Sequence, residues 1–353
     1  MTSITSRLKE LFSFSIPSLA LRPASALREK FHQGYTGADF QADILSGIIV
    51  GTVALPLGMA LAIASGVPPQ LGLYTVVIAG GAVALLGGSR FQVTGPTAAF
   101  VVILVPVVHK FGVSGLLVAG LLAGVLLVAM GLARMGQLIQ FIPYPVTTGF
   151  TSGIALVIAT LQIKDFFGLH PAMTPDGFAG RLHAYWQARG TWSPADFLVG
   201  AVTLAILILW PRVHKRIPSP VIALGFVTIA TVVAHRLSPA FNVATIGSRF
   251  SSIVGGVTVA GIPPTPPSIG FPWRRAVDGS SLPLNFATIH SLAPSAFAIA
   301  MLAAIESLLS AVVSDAMAQT RHDPDAELLA LGVGNILCPF FGGIPATGAI
   351  ART

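Results

Sequence analysis

The sequence predicts an all-α integral membrane protein, and three observations lead there. Of 353 residues, 54% are hydrophobic and only 9% are charged, against about 25% charged in an ordinary soluble domain. The mean hydropathy is +0.81. Uncharged apolar intervals near the roughly 20 residues that a helix needs to cross a bilayer recur along the chain. The single cysteine, Cys338, excludes a disulfide scaffold and reads as a small buried hydrophobe. A net charge of +7 fits Lys and Arg gathered in cytoplasmic loops. No basic run with interleaved aromatics occurs, so nucleic acid is not an expected partner.

The first 43 residues read as a cytoplasmic, interfacial lead-in. Arg7, Lys9, Arg22, Arg28 and Lys30 are spread among Ser, Leu, Phe and Pro, without the basic, apolar and small-residue order of a cleavable signal. Asp43 then stands as a dipole partner for the first span. Residues 44–134 carry four predicted spans: two in the uncharged interval between Asp43 and Arg90, parted by Gly66-Val67-Pro68-Pro69, then 91–106 and 113–133. Residues 135–237 carry three more, at 144–163, 196–210 and 221–234. The basic loop Pro211-Arg212-Val213-His214-Lys215-Arg216 between the last two falls on the inner side, which agrees with a cytoplasmic N-terminus and six crossings. Residues 238–290 are crowded with Pro and Gly, as in Gly261-Ile262-Pro263-Pro264, and read as an ordered outer loop with short strands or turns. Residues 291–353 carry an eighth span at 292–313, a ninth at 328–341 and the start of a tenth near Thr347. A helix end in lipid leaves carbonyls unsatisfied, so the chain reads as truncated within helix ten.

Two segments place Gly and Pro just ahead of a span: Val93-Thr94-Gly95-Pro96-Thr97-Ala98-Ala99-Phe100 and Gly342-Gly343-Ile344-Pro345-Ala346-Thr347-Gly348-Ala349-Ile350-Ala351-Arg352. Pro at a first turn is a helix start signal. Each segment would expose backbone N–H groups at membrane depth, at Thr97, Ala98 and Ala99 in the first and at Gly348, Ala349 and Ile350 in the second. A helix N-terminus carries about half a positive charge. Two facing ones make an anion site, as in transporters built on inverted repeats. Gly and Pro can also merely kink packed membrane helices; their recurrence in the third position of each half favours a site. Arg352 would add positive potential there, or stand as a snorkelling charge.

Glu306 lies deep in the eighth span, where a charge costs several kcal/mol unless satisfied, and so reads as functional. Ser310, one turn on, shares its face and would complete a coupling-ion site; a simple interhelical hydrogen bond is the competing reading of Glu306. Asp315, Arg321, Asp323, Asp325 and Glu327 read as solvated charge at the inner end of that span. His109, His170, His183 and His290 lack metal-ligand spacing, no Gly-Lys-Ser/Thr phosphate loop occurs, and no metal or cofactor is expected. Nothing argues for an enzyme.

The run Asp43-Ile44-Leu45-Ser46-Gly47-Ile48, Pro56-Leu57-Gly58-Met59-Ala60 and Gly66 to Tyr74 resembles the opening of the SulP sulfate permease family, relatives of pendrin and prestin. The likeness continues through Gly87-Gly88-Ser89-Arg90, Thr94 to Ala98, Phe141 to Val146, Gly149 to Gly153, Gln162, Ile305-Glu306-Ser307, and Pro345 to Thr353. It implies an inverted seven-plus-seven helix repeat, with a core domain (helices one to four and eight to eleven) moving against a gate domain (five to seven and twelve to fourteen). Helices eleven to fourteen and a STAS domain would lie beyond Thr353. It implies a homodimer in a bacterial inner membrane, with a small inorganic or carboxylate anion bound between the starts of helices three and ten and Glu306 serving coupling. Leu57 and Ala351 stand where relatives often carry Gln and Ser, which shifts anion recognition toward backbone amides. Some bicarbonate-transporting relatives carry Asp at the position of Glu306 and resemble sodium-coupled carriers. The expectation is therefore a proton-coupled symporter of a dicarboxylate such as fumarate. Sulfate or bicarbonate transport, sodium coupling, an anion channel and a nucleobase permease are the rivals.

Overall fold

A computed structural model describes residues 23–353 apart from 138–143, 174, 176, 215–216, 240, 255–256, 265, 276–280 and 351. Most of the N-terminal lead-in, the Phe141-Ile142-Pro143 motif, Lys215, Arg216 and Ala351 therefore lie outside the described residues. Helix α1 (Ser25–Gln33) precedes α2 (Gly37–Ala64). Thr36 and Asp39 close a reciprocal capping box at the start of α2. The carboxylate serving this helix end is thus Asp39 and not Asp43, which instead accepts the Tyr35 hydroxyl at 2.7 Å. At the far end, Val67 N–H reaches Ala62 O and Gly66 N–H reaches Ile63 O, a Schellman termination that needs the left-handed φ of +79° at Gly66. Pro68 and Pro69 then open α3 (Pro69–Leu86).

Strand β1 (Thr94–Gly95) leads into α4 (Ala98–Leu132), which is broken at Gly112 by a φ of 67°. That break is the joint between the third and fourth expected spans. Helix α5 (Tyr144–Phe166) follows, then α6 (Phe178–Gln187), α7 (Pro194–Val213) and α8 (Ser219–Leu237). The expected ordered loop is a one-turn α9 (Ile246–Arg249) and a hairpin of β2 (Ser251–Val254) with β3 (Val257–Ala260). Helices α10 (Phe286–Ala318) and α11 (Pro324–Phe340) complete the helical set, and β4 (Thr347–Gly348) pairs with β1. Among the described residues, six helices are long and apolar enough to cross a membrane: α2, α3, α4, α7, α8 and α10.

The core forms where α4, α10 and α11 meet, around Phe100, Leu104, Leu116, Leu127, Leu292, Ile299, Leu328 and Leu331, all essentially inaccessible. Small residues let the backbones touch, as apolar side chains gain little from leaving lipid. A Cβ on Gly124 of α4 would fall 2.9 Å from Gly332 O of α11. By contrast α7 buries none of its described residues, and α8 buries only Ala223.

Candidate functional site

The two Gly/Pro segments meet. Thr94 pairs with Gly348 and Gly95 with Thr347 in an antiparallel two-residue ladder, which satisfies backbone groups that would otherwise be stranded at membrane depth. The second segment is held from behind: Asn335 Nδ2 donates to Ala346 O and its Oδ1 accepts from Ala346 N–H, both at 2.9 Å. Thr75 Oγ1 accepts from Ile344 N–H at 2.7 Å, and Thr347 Oγ1 donates to Ala303 O at 2.8 Å. A side chain at 348 would collide with Gln92 and with Ser307 Cα at 2.8 Å, so Gly348 permits this approach.

The pairing corrects part of the expectation drawn from sequence. Thr347 and Gly348 are strand, not helix, and Ala349 N–H donates to Val93 O at 2.9 Å, so it is spent. A helical turn begins only after them, with Arg352 and Thr353 N–H reaching Ala349 O. Ile350, about two-fifths exposed, lies on that turn. On the other side, α4 starts at Ala98 and Ala99 with Thr97 as N-cap, but Thr97 gives the helix no side-chain cap. Its hydroxyl donates instead to Glu306 Oε2 at 2.9 Å.

Arg352 crosses between the segments. Its Nη2 donates to Pro96 O at 2.8 Å, and its guanidinium lies over Gly95, where a Cβ would sit 3.0 Å from Nη1. Nη1 itself is buried with no hydrogen-bond partner. Glu306 is within electrostatic reach of Arg352. Ser310 does not join Glu306; its hydroxyl donates to Thr353 Oγ1 at 3.0 Å, and Thr353 in turn accepts from Val93 N–H at 3.1 Å. Thr94 Oγ1 is buried without a partner.

One group was missed from sequence. Glu327 is not solvated: it is 1% exposed and accepts from Gly88 N–H at 3.0 Å, Ser89 N–H at 3.2 Å and the Ser307 hydroxyl at 3.4 Å. Ser307 also accepts from Gln92 Nε2 at 2.5 Å. The signal was present, because Glu327, Leu331, Gly334 and Cys338 fall on one helical stripe and all are buried. The neighbouring acids are engaged too: Asp323 caps α11, Asp325 accepts from Gly136 N–H at 2.9 Å, and Asp315 pairs with His322.

This arrangement defines a multi-pass helical membrane protein in which two antiparallel, interrupted segments pair directly beside a partly buried guanidinium. A family model described as the sulfate permease family matches residues 40–353, and the chain belongs to that family. It is 43% identical over 91% of its length to a putative sulfate transporter of Bacillus subtilis, covering 56% of that protein. It is 29% identical over 89% of its length to a bicarbonate transporter of Picosynechococcus, covering 53% of that protein. The chain thus spans about half the length of the curated relatives it matches. Among solved structures, the transmembrane domain of a cyanobacterial bicarbonate transporter superposes with a TM-score of 0.73 at 26% identity, over 90% of this chain and 77% of that one. The murine solute carrier 26 family member A9, in its inward-facing state, shares the fold at a TM-score of 0.72 and 17% identity, over 99% of this chain and 58% of that one.

Proposed function

We propose that the chain forms the anion-handling part of a secondary active transporter working by alternating access. The observation that carries this reading is the partly buried Arg352 guanidinium, fixed on one edge by Pro96 O and buried and unpartnered at Nη1. A guanidinium in a low-dielectric site binds an oxygen-bearing anion strongly and directionally. The Ala98 and Ala99 N–H groups at the start of α4 add the favourable end of a helix dipole. Thr94, Gly95, Pro96, Thr97, Thr347, Gly348, Ala349 and Ile350 form the walls of this site. Glu306, beside Arg352, is the coupling carboxyl: taking up a proton removes a negative charge that competes for Arg352, so anion and proton enter together.

The substrate is a small oxyanion. Sulfate and bicarbonate appear in the names of relatives, and a dicarboxylate such as fumarate presents the same carboxylate chemistry. The assembly is a homodimer in a bacterial inner membrane with a cytoplasmic N-terminus, and sodium is the alternative coupling ion. Uptake of radiolabelled sulfate, bicarbonate and fumarate into proteoliposomes, with an inward proton gradient, a sodium gradient or neither, tests the reading. The wild type accumulates one of them only under a proton gradient, and Glu306→Gln loses that dependence. A Glu306→Gln protein whose uptake still follows the proton gradient fully would overturn the coupling role.

A further inference from the structure

A cavity of about 440 Å³ has neither of the paired segments among its walls. Chain tracing puts it on the face opposite α1, because its walls are the far end of α2 (Ala64, Gly66), His109 in the first half of α4, the end of α5, the start of α7, and the segment around α9. It therefore lies in the seam between the tightly packed helices α2 and α4 and the loosely packed set α5, α6 and α7.

Its charged groups are unevenly matched. Lys164 and Arg249 both approach Asp165, at 3.9 and 3.5 Å. Asp196 sits in the first turn of α7, where the helix dipole offsets its charge. Arg181, on α6 and half-buried, lines the same cavity, and its guanidinium makes no hydrogen bond or ion pair among the described residues. With Lys164, Arg181 and Arg249 against Asp165 and Asp196, the lining of the cavity carries one more positive than negative charge. A half-buried guanidinium with no hydrogen bond or ion pair among the described residues, beside a cavity of this volume, is suited to a small oxyanion.

We propose that this cavity is an entry subsite, which collects the oxyanion from the medium on that face before it passes to Arg352. The inference rests on the anion-transport reading above. Local positive charge raises the local concentration of an anion and so its rate of capture, in a manner that added salt screens. The subsite thus acts on the half-saturating concentration, and on entry from one face only.

The test measures initial uptake of sulfate, bicarbonate and fumarate in membrane vesicles of both orientations at low ionic strength, for wild type, Arg181→Gln, Arg181→Lys and Asp165→Asn. For whichever anion is carried, Arg181→Gln raises KM about threefold from the face bearing the cavity and leaves the opposite face unchanged. Arg181→Lys restores the wild-type KM. Asp165→Asn, which releases Lys164 and Arg249, lowers KM from the same face by about twofold. Raising inert salt erases both differences. Opposite signs for the two charge removals are not expected of mere structural damage. Carriage of an anion with an unaltered KM in Arg181→Gln overturns the subsite alone; no uptake of any of the three anions by wild type overturns the transport reading and the subsite with it.

Discussion

Removing the Glu327 carboxylate tests how the site is held in place. Both backbone donors, Gly88 and Ser89 N–H, converge on the same oxygen, Oε2, while Oε1 receives only the Ser307 hydroxyl at 3.4 Å. Glu327→Ala strands the buried Gly88 N–H and the partly buried Ser89 N–H. At about 1–3 kcal/mol for a stranded donor, discounted for Ser89, the loss is about 2–4 kcal/mol. Glu327→Gln keeps a carbonyl oxygen for both donors, and Ser307 can turn to accept from the new amide, so it forfeits only charge assistance, about 1 kcal/mol. A chain of this length shifts its midpoint by roughly 1–2 °C per kcal/mol. Thermal midpoints of the detergent-solubilised protein should therefore fall by about 2–8 °C for Ala and by about 1–2 °C for Gln. Hydrogen exchange at Gly88 and Ser89 should accelerate only in the Ala variant. Equal midpoints for Ala and Gln would refute the reasoning, because then neither N–H depends on Oε2.

Three further outcomes follow from the same geometry. Gly348→Ala drives a Cβ into Gln92 and Ser307 Cα, so it should part β1 from β4 and abolish anion uptake, while Gly47→Ala, whose Cβ meets nothing within 4 Å, should leave uptake intact. Asn335→Leu removes both hydrogen bonds to Ala346; with a buried N–H and C=O left unpaired, a loss of about 2–4 kcal/mol is expected, read as a lower thermal midpoint with faster exchange at the Ala346 amide. Arg352→Lys keeps the charge but not the planar fork, so KM for the anion should rise about tenfold, whereas Arg352→Gln should leave no saturable uptake at all.

The spans were legible because lipid imposes a simple rule: an uncharged interval of sufficient length with Gly or Pro at its ends must be a helix. That rule placed α2, α3, α4, α7, α8 and α10, and even the break at Gly112. The candidate site was legible as two punctuated segments and one intramembrane carboxylate, which is a statement about local chemistry. What escaped was everything set by contacts distant in sequence. Nothing near Thr347 announces that its neighbour's carbonyl and amide will pair with Thr94 and Gly95, so a helix start was expected where a strand forms. Glu327 sits among other acids at a helix end, where solvated charge is the ordinary case; only the approach of Gly88 and Ser89 makes burial tolerable. Asp43 reads as the dipole partner only if the helix begins at the first apolar residue, whereas α2 begins at Gly37, within the polar lead-in, and Asp39 closes its cap.

The connections among these groups constrain how such a protein can move. Thr97 is tied to Glu306, Arg352 to Pro96, Ser310 through Thr353 to Val93, and Thr347 to Ala303. Each bond joins the β1 and β4 segments to one another or to α10, and Asn335 adds α11 from behind. Sliding any one of these elements by a helical turn would break several buried hydrogen bonds at once, at about 1–3 kcal/mol for each group stranded. The joint between this cluster and α7 and α8 carries no such bonds among the described residues, and those two helices bury almost nothing. The inexpensive motion is therefore a displacement of the whole cluster, Arg352 included, against α5, α7 and α8. Under the transport reading, this requires the anion to travel with its site. A disulfide fixing α10 to α4 should then leave transport intact, whereas one fixing α4 to α5 should stop it; transport that survives the second cross-link would show that the site stays still and the path around it opens instead.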